Sequence, residues 1–427
     1  MTEHGASPHP SSGSLGGRPA VAVFATLDTK RPEAARLAAS IEDAGAQAVV
    51  VDMSLSDDGV TEPATSYTVI SRETLLAARG LSRDALTGLA RIDRIAIMVD
   101  CLRDFVRTSI EGPRPLAGVV IGVGGGTGGS IFRQVCDTVR IGIPKLIVTT
   151  KYGPNRPDDL IVFPSVVDIA GKNRLLDQVL DNAGRSAAAI ALAQLQRSTT
   201  ANTVTIGLTM LGITTAGVEA FRAALGDGIG ELQVFHANGL GGRAMQKLAE
   251  DGRIDAVIDW TTSEFMDELT GGVCAAPVSR LGSATRAGIP LLVVPGGIDA
   301  IKLGITVPER FAGRPTIRHS PETTLVRSTA EENARLGRAM GAQLTSSRGA
   351  VRVLVPGRGF SSVSGPDGPF WDPAADAAWL AELQRSAVGV RVDVIDAHID
   401  DPVFADAVAR TYRELGVGHP GPKPPTD

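Results

Sequence analysis

Hydrophobic positions in this chain cluster into short β-branched runs separated by longer stretches of mixed polarity. Val21-Ala-Val-Phe-Ala-Thr26, Ala48-Val-Val-Val-Asp52, Val119 to Val123, Pro144-Lys-Leu-Ile-Val-Thr149 and Leu160-Ile-Val-Phe163 read as buried strands. Between them the spacing predicts helices: Pro32 to Ala44, closed by Gly45; Ser71 to Arg91, broken at Gly80; and Asn173 to Gln196. Arg94 to Val99 fits a helix or a short strand. Strands and helices alternating at this spacing imply a mostly parallel sheet with both faces covered.

A polar break at Ser198-Thr-Thr-Ala-Asn202 precedes a second start of the same pattern. Val204 to Thr209, Glu231 to Phe235, Ala256 to Asp259, Pro290 to Pro295, Val351 to Val355 and Val390 to Val394 read as strands. Helices are expected near Ala216 to Leu225, Thr329 to Leu344 and Pro402 to Leu415. The expected organisation is a loose tail over 1–18, two α/β units over 19–200 and 201–416, and a loose end over 417–427. A chain of 427 residues suits about two domains of roughly 200 residues each.

Composition narrows the class. With 43% apolar, 21% charged and 4% aromatic residues, the chain has a soluble globular balance. A net charge of −5 supplies no global field for nucleic acid or an anionic membrane. No apolar run approaches the ~20 residues of a membrane span, and no secretory signal pattern opens the sequence. Three widely spaced cysteines argue against a disulfide framework or a zinc site, and a reducing cytoplasm is expected.

The chain's most distinctive stretch follows the Val119 to Val123 run. Gly124, Gly125, Gly126, Thr127, Gly128, Gly129 and Ser130 lead into Ile131-Phe-Arg-Gln-Val-Cys-Asp137, which reads as a helix. A strand, a glycine loop and a helix N-terminus make an anion site, because backbone N–H groups converge there and the helix dipole favours negative charge. The predicted ligand is a nucleotide or another phosphate ester. Its middle-strand position, and the absence of an acid in Thr149-Thr-Lys151, disfavour NAD. No lysine follows the glycines, so it is not a Walker A loop.

Other strand ends carry further candidates, since ligands of open parallel sheets bind beyond the carboxyl ends of strands. Thr26-Leu-Asp-Thr-Lys30 places Asp28 to hold a hydroxyl or metal-bound group and Lys30 a phosphate; helix capping by Asp28 or Thr29 explains the same residues. Lysine is scarce, which draws attention to Lys30 and Lys151. Asp52 suits a ribose hydroxyl or a solvated loop. In the second half, Gly239, Gly241 and Gly242 lead into a helix whose first turn carries Arg243, an unfavourable place for a cation unless an anion is near. Thr261, Thr262 and Glu264 follow the next strand, and Asp299 ends another. His236 is the best-placed general acid–base group; a structural hydrogen bond is the competing role. No spacing of metal ligands stands out.

Taken together, several stretches resemble one known family. They are Thr26-Leu-Asp-Thr-Lys30, the glycine loop, Pro144 to Val148, Phe163-Pro-Ser-Val-Val-Asp-Ile-Ala-Gly171, Gly207-Leu-Thr-Met210, His236 to Met245, Thr261-Thr-Ser-Glu264 and His398 to Ala405, in order from about residue 20 to 412. The sequence is similar to the N-terminal ATP-binding domain of the tomato mosaic virus resistance protein and its uncharacterised bacterial homologues. The resemblance implies two Rossmann-like subdomains, bound ATP with Mg2+, and a homodimer; if the chain is instead a protein-interaction module, a separately encoded barrel-type protein is its expected partner. Thr149 to Asn155 departs from the family's small, glycine-bearing loop.

The expected function is therefore nucleotide binding, with Thr26, Asp28, Lys30 and Gly124 to Ser130 as the ligand loop near an inter-subdomain cleft. One alternative is an enzyme acting on a small phosphorylated or carboxylated substrate. In it Gly239, Gly241, Gly242, Arg243, Thr261 and Thr262 hold the anion, and His236, Arg243 and Glu264 form the catalytic group. The other is a protein-interaction module stabilised by nucleotide.

Overall fold

The computed structural model describes residues 18–56, 67–151, 159–171, 173–194, 203–226, 230–345 and 348–416. The expected loose ends, apart from Arg18, and the polar break at 198–202 lie outside the described residues, as does part of the 149–155 loop. The chain divides into two compact units, Met1–Thr199 and Thr200–Asp427.

In the first unit six parallel strands form one sheet: β1 (Ala20–Ala25), β2 (Gln47–Asp52), β3 (Thr68–Ile70), β4 (Val119–Val123), β5 (Lys145–Thr149) and β6 (Leu160–Pro164). The strand order is β3-β2-β1-β4-β5-β6, the Rossmann order. Period-two alternation splits β1 between two cores. Ala20, Ala22 and Phe24 face one core with α2 (Arg72–Ala78), α3 (Arg91–Phe105) and α4 (Thr127–Cys136). Val21, Val23 and Ala25 face the other, with α1 (Leu27–Asp43) and α5 (Arg174–Gln194). Every residue of β1, β4 and β5 is buried, which explains their uninterrupted apolar look.

Two elements differ from the sequence expectation. Helix α1 begins at Leu27 rather than Pro32, because a first turn precedes a non-helical Lys30 (φ −125°, ψ 25°). Its amides have partners that no local pattern discloses: Asp52 accepts from Leu27 N, and Ser54 Oγ accepts from Asp28 N. The stretch from Ser71 to Arg91 is not one broken helix, since α2 stops before Gly80 (φ +71°) and a single 3-10 turn follows. Arg94 to Val99 lies inside α3.

The second unit holds a second parallel sheet: β7 (Thr205–Met210), β8 (Glu231–His236), β9 (Ala256–Thr261), β10 (Leu291–Gly296), β14 (Val351–Pro356) and β15 (Arg391–Ile395). Its order is β15-β14-β10-β9-β7-β8. Between β10 and β14 the chain inserts a small antiparallel sheet of β11 (Ala300–Leu303), β12 (Thr316–Arg318) and β13 (Thr324–Arg327). Helices α6 (Thr215–Leu225), α7 (Leu240–Glu250), α8 (Ser263–Thr270), α9 (Leu281–Ala287), α10 (Ala330–Thr345), α11 (Pro373–Ser386) and α12 (Pro402–Glu414) surround these sheets. Trp260 of β9 packs between Phe221 of α6 and Phe404 of α12, with ring centroids 5.5 and 5.7 Å away. Among the described residues, no helix is long and apolar enough to cross a membrane.

Candidate functional site

The two halves of the Rossmann sheet diverge between β1 and β4. The chain leaves β1 toward β2 on one side and later continues from β4 toward β5 on the other. Such a switch point opens a crevice beyond the carboxyl ends of the strands. The glycine loop stands there: it follows a strand that is fourth in sequence but pairs directly with β1.

Helix α4 starts at Thr127 and packs through Phe132, whose ring centroid is 5.4 Å from that of Phe24. The turn is tight enough to require bare backbone. A side chain at Gly129 would stand 2.8 Å from Gly124 O and 3.2 Å from Thr149 Oγ1. Gly126 is different, because among the described residues a Cβ there would meet only Lys151 Nζ, at 3.8 Å. Among the described residues, the amides of Gly125, Gly126, Thr127, Gly128 and Gly129 donate to no protein acceptor; the loop's bonded amides are Gly124 N, to Val148 O, and Ser130 N, to Gly126 O.

Side chains from two strand ends and two helices ring this loop. Thr26 Oγ1, after β1, is 3.5 Å from the Cβ position of Gly128. Thr150 Oγ1, after β5, is 3.0 Å from that of Gly125. Arg133 Nη1 lies 3.4 Å from the Cβ position of Gly129 and donates to Lys151 O. Arg91 Nη2 donates to Thr127 Oγ1 at 2.8 Å. Arg91, Arg133 and Lys151 thus put three cations beside five unpaired amides. Sequence reading singled out Lys151 but missed both arginines, because their positions in mid-helix and at a helix start carry no motif.

Not every residue expected at this site joins it. Thr26 and Gly124 to Ser130 come together. Asp28 turns instead toward the segment after β2, accepting from Leu55 N at 3.3 Å and Ser56 Oγ at 3.2 Å. Lys30 sits in the irregular turn of α1. Asp52 is neither solvated nor open to a ribose: it is buried, and burial raises its carboxyl above the ordinary range against the pull of the Ser54 and Leu27 hydrogen bonds.

The second glycine loop is built differently. Gly239 (φ +89°) turns the chain into α7, and its amide donates to Glu264 Oε1 at 2.5 Å. A Cβ on Gly242 would collide with the same carboxylate. Glu264 is fully buried and also pairs with Arg280 at 3.0 Å, while Arg280 bridges to Asp259 at 3.0 Å. Burial raises the Glu264 carboxyl, with Arg280 pulling the other way. The unfavourable first-turn cation finds a partner here, because Arg243 donates to Ala275 O at 3.3 Å. Gly241 lies against the backbone of His236, whose imidazole is exposed at the end of the edge strand β8. Thr261 and Thr262 are enclosed, their hydroxyls bonded to Thr214 Oγ1 and Val294 O.

A comparison of strand-to-helix turns separates the loops. Leu27 N of α1 is taken by Asp52, Gly239 N at the start of α7 by Glu264, and Gly217 N in α6 by Asp400. Each of these helix starts is served by the protein's own carboxylate. Among the described residues, no carboxylate accepts from an amide at the start of helix α4.

Two family models cover nearly all of the folded chain: the N-terminal domain of an uncharacterised protein family, UPF0261, matches residues 19–196, and its C-terminal domain matches residues 203–416. The chain belongs to this family. A UPF0261 member of Rhizobium meliloti (strain 1021) is 39% identical over 404 residues, covering 92% of this chain and 98% of that protein. The tomato mosaic virus resistance protein Tm-1(GCR237) of Solanum lycopersicum is 34% identical over 382 residues, covering 86% of this chain and 50% of that protein. The chain therefore spans half the length of the tomato relative. Among solved structures, MurG of Acinetobacter baumannii aligns along 93% of this UPF0261 chain and 99% of its own, at 13% identity and a TM-score of 0.19, a likeness too low to carry an argument.

Proposed function

We propose that this UPF0261 protein binds a nucleotide, ATP by preference, whose phosphates lie on the amides of Gly125 to Gly129. One observation carries the reading: α4 begins at a strand-to-helix turn rich in unpaired amides and flanked by cations, whereas the turns into α1, α6 and α7 each give an amide to an internal carboxylate. The first amides of a helix have no partner within it, and the helix dipole makes an anion a natural one. The residues suit a polyphosphate. Bare backbone allows close approach, Thr26 and Thr150 offer hydroxyls, and Arg91, Arg133 and Lys151 balance charge. Among the described residues there is no group of three metal-ligating side chains. Mg2+ would arrive with the phosphates, since it keeps several of its waters and needs few protein ligands.

The test is direct calorimetric titration of the purified chain with ATP and Mg2+. Saturable binding at one site per chain is expected. Absence of binding to ATP, ADP and inorganic tripolyphosphate alike contradicts the reading.

A further inference from the structure

Beside the glycine loop lies a cavity of about 350 Å³ lined by Thr150, Ser165, Val166, Val167 and Asp168. That volume falls within the ~300–1,000 Å³ of small-molecule sites. Thr150 belongs to both places, lining the cavity while its hydroxyl stands 3.0 Å from the Cβ position of Gly125. Thr150 thus stands between the cavity and the phosphate cradle. We propose that it receives the ribose of the bound nucleotide, with the Asp168 carboxylate accepting from the sugar hydroxyls; this rests on the nucleotide reading of the glycine loop.

Charge sets the orientation. Asp168 repels phosphate, whereas the cradle offers amides, Lys151, Arg133 and Arg91. A ligand lying across both must therefore put its phosphates on the glycines and a neutral, hydroxyl-bearing part against Asp168. A carboxylate is the acceptor that dinucleotide folds use for paired ribose hydroxyls. The acid absent from Thr149-Thr-Lys151 is thus supplied one strand further along. Ser165 N donates to Thr149 O at 3.0 Å, which keeps the chain leaving β6 paired with the end of β5.

The turn that delivers Asp168 is held in an uncommon backbone form. Val166 has φ +66°, and Val167 N donates to Ser165 O at 2.7 Å, closing a γ-turn around a β-branched residue. Ser165 Oγ donates to Val167 O at 2.7 Å and fixes the same turn. One Asp168 oxygen accepts from Ile169 N at 2.8 Å, which orients the carboxylate and leaves its second oxygen for a ligand.

The experiment uses the full chain with Mg2+ and three ligands: ATP, 2′,3′-dideoxyadenosine triphosphate and inorganic tripolyphosphate. The wild-type chain should bind ATP about tenfold more tightly than the dideoxy nucleotide, the worth of one charge-assisted hydrogen bond. Asp168→Asn should weaken ATP by about the same factor and abolish that preference. Tripolyphosphate should bind the variant as well as the wild type, which also reports that the variant is folded. Equal ATP affinity for wild type and variant, or no preference for ATP over the dideoxy nucleotide, overturns the ribose assignment and leaves the phosphate cradle standing. Failure of the wild type to bind either ATP or tripolyphosphate overturns both.

Discussion

The Glu264 carboxylate accepts the amide of Gly239 at 2.5 Å and pairs with Arg280 at 3.0 Å, so the second glycine loop closes around an anion that the chain carries itself. Removing it leaves Arg280 with Asp259 alone and strips Gly239 of its acceptor. Glu264→Ala should destabilise the second unit by about 3–5 kcal/mol, the usual cost of breaking a buried pair. Glu264→Gln should lose less, since its carbonyl still accepts from Gly239. Urea unfolding measures both. A loss below about 1 kcal/mol for alanine would mean the pair is not what fixes the loop.

Asp376 gives the second unit a pH signature. Burial pushes its carboxyl from 3.8 up to about 7, outweighing Arg327, whose Nη2 donates to it at 2.5 Å. The folded chain then holds a proton that the unfolded chain has released. Stability should therefore fall as pH rises from about 4 to about 7, with the full loss present above that window. Asp376→Asn should flatten the slope in that window. An unchanged slope in the variant would assign it to other groups.

Val166 holds a left-handed φ of +66° while its side chain is 75% exposed. Strain of this kind costs on the order of 1–3 kcal/mol, and little burial offsets it here. Val166→Asn, which tolerates that region, should stabilise the first unit by about 1 kcal/mol, measured as a higher unfolding midpoint. Destabilisation would show that the valine side chain makes contacts worth more than the strain.

The three thiols should be inert in the native protein. Cys101 and Cys136 are buried, and burial raises both thiols; Cys274, half-buried beside Asp267, is pushed up to about 11. An aromatic disulfide reagent at neutral pH should label none of them until denaturant is added. Rapid reaction of one thiol in the native state would contradict this placement.

Much of the fold is legible because parallel strands are buried on both faces. The runs around Val21, Val119 and Leu146 could be little else. Short or half-exposed elements escaped: β3 is three residues long, and β11 to β13 lack an uninterrupted apolar run. Helix α11 carries a start signal that was overlooked, with Asp372 accepting from Ala375 N and Pro373 in the first turn. The first glycine loop was readable as a bare strand-to-helix turn because it is purely local. What fills the second loop was not, since Glu264 reaches Gly239 across 25 residues and Arg280 comes from another helix start. Arg91 and Arg133 escaped for the same reason, as their meeting at α4 follows from how the helices pack.

The central claim rests on the amides of α4, and Gly126 is the place to test it. Among the described residues, a Cβ there meets no atom closer than Lys151 Nζ at 3.8 Å, so Gly126→Leu should fold normally while projecting into the space above the cradle. The measurement is thermal unfolding of wild type and Gly126→Leu, each with and without ATP and Mg2+. At about 100 times Kd, binding should add roughly 2.7 kcal/mol and raise the midpoint of the wild-type first unit by about 5–11 °C. The variant should match the wild type without nucleotide and show no rise with it. An equal rise in both proteins, or none in the wild type with any nucleotide, would contradict the account.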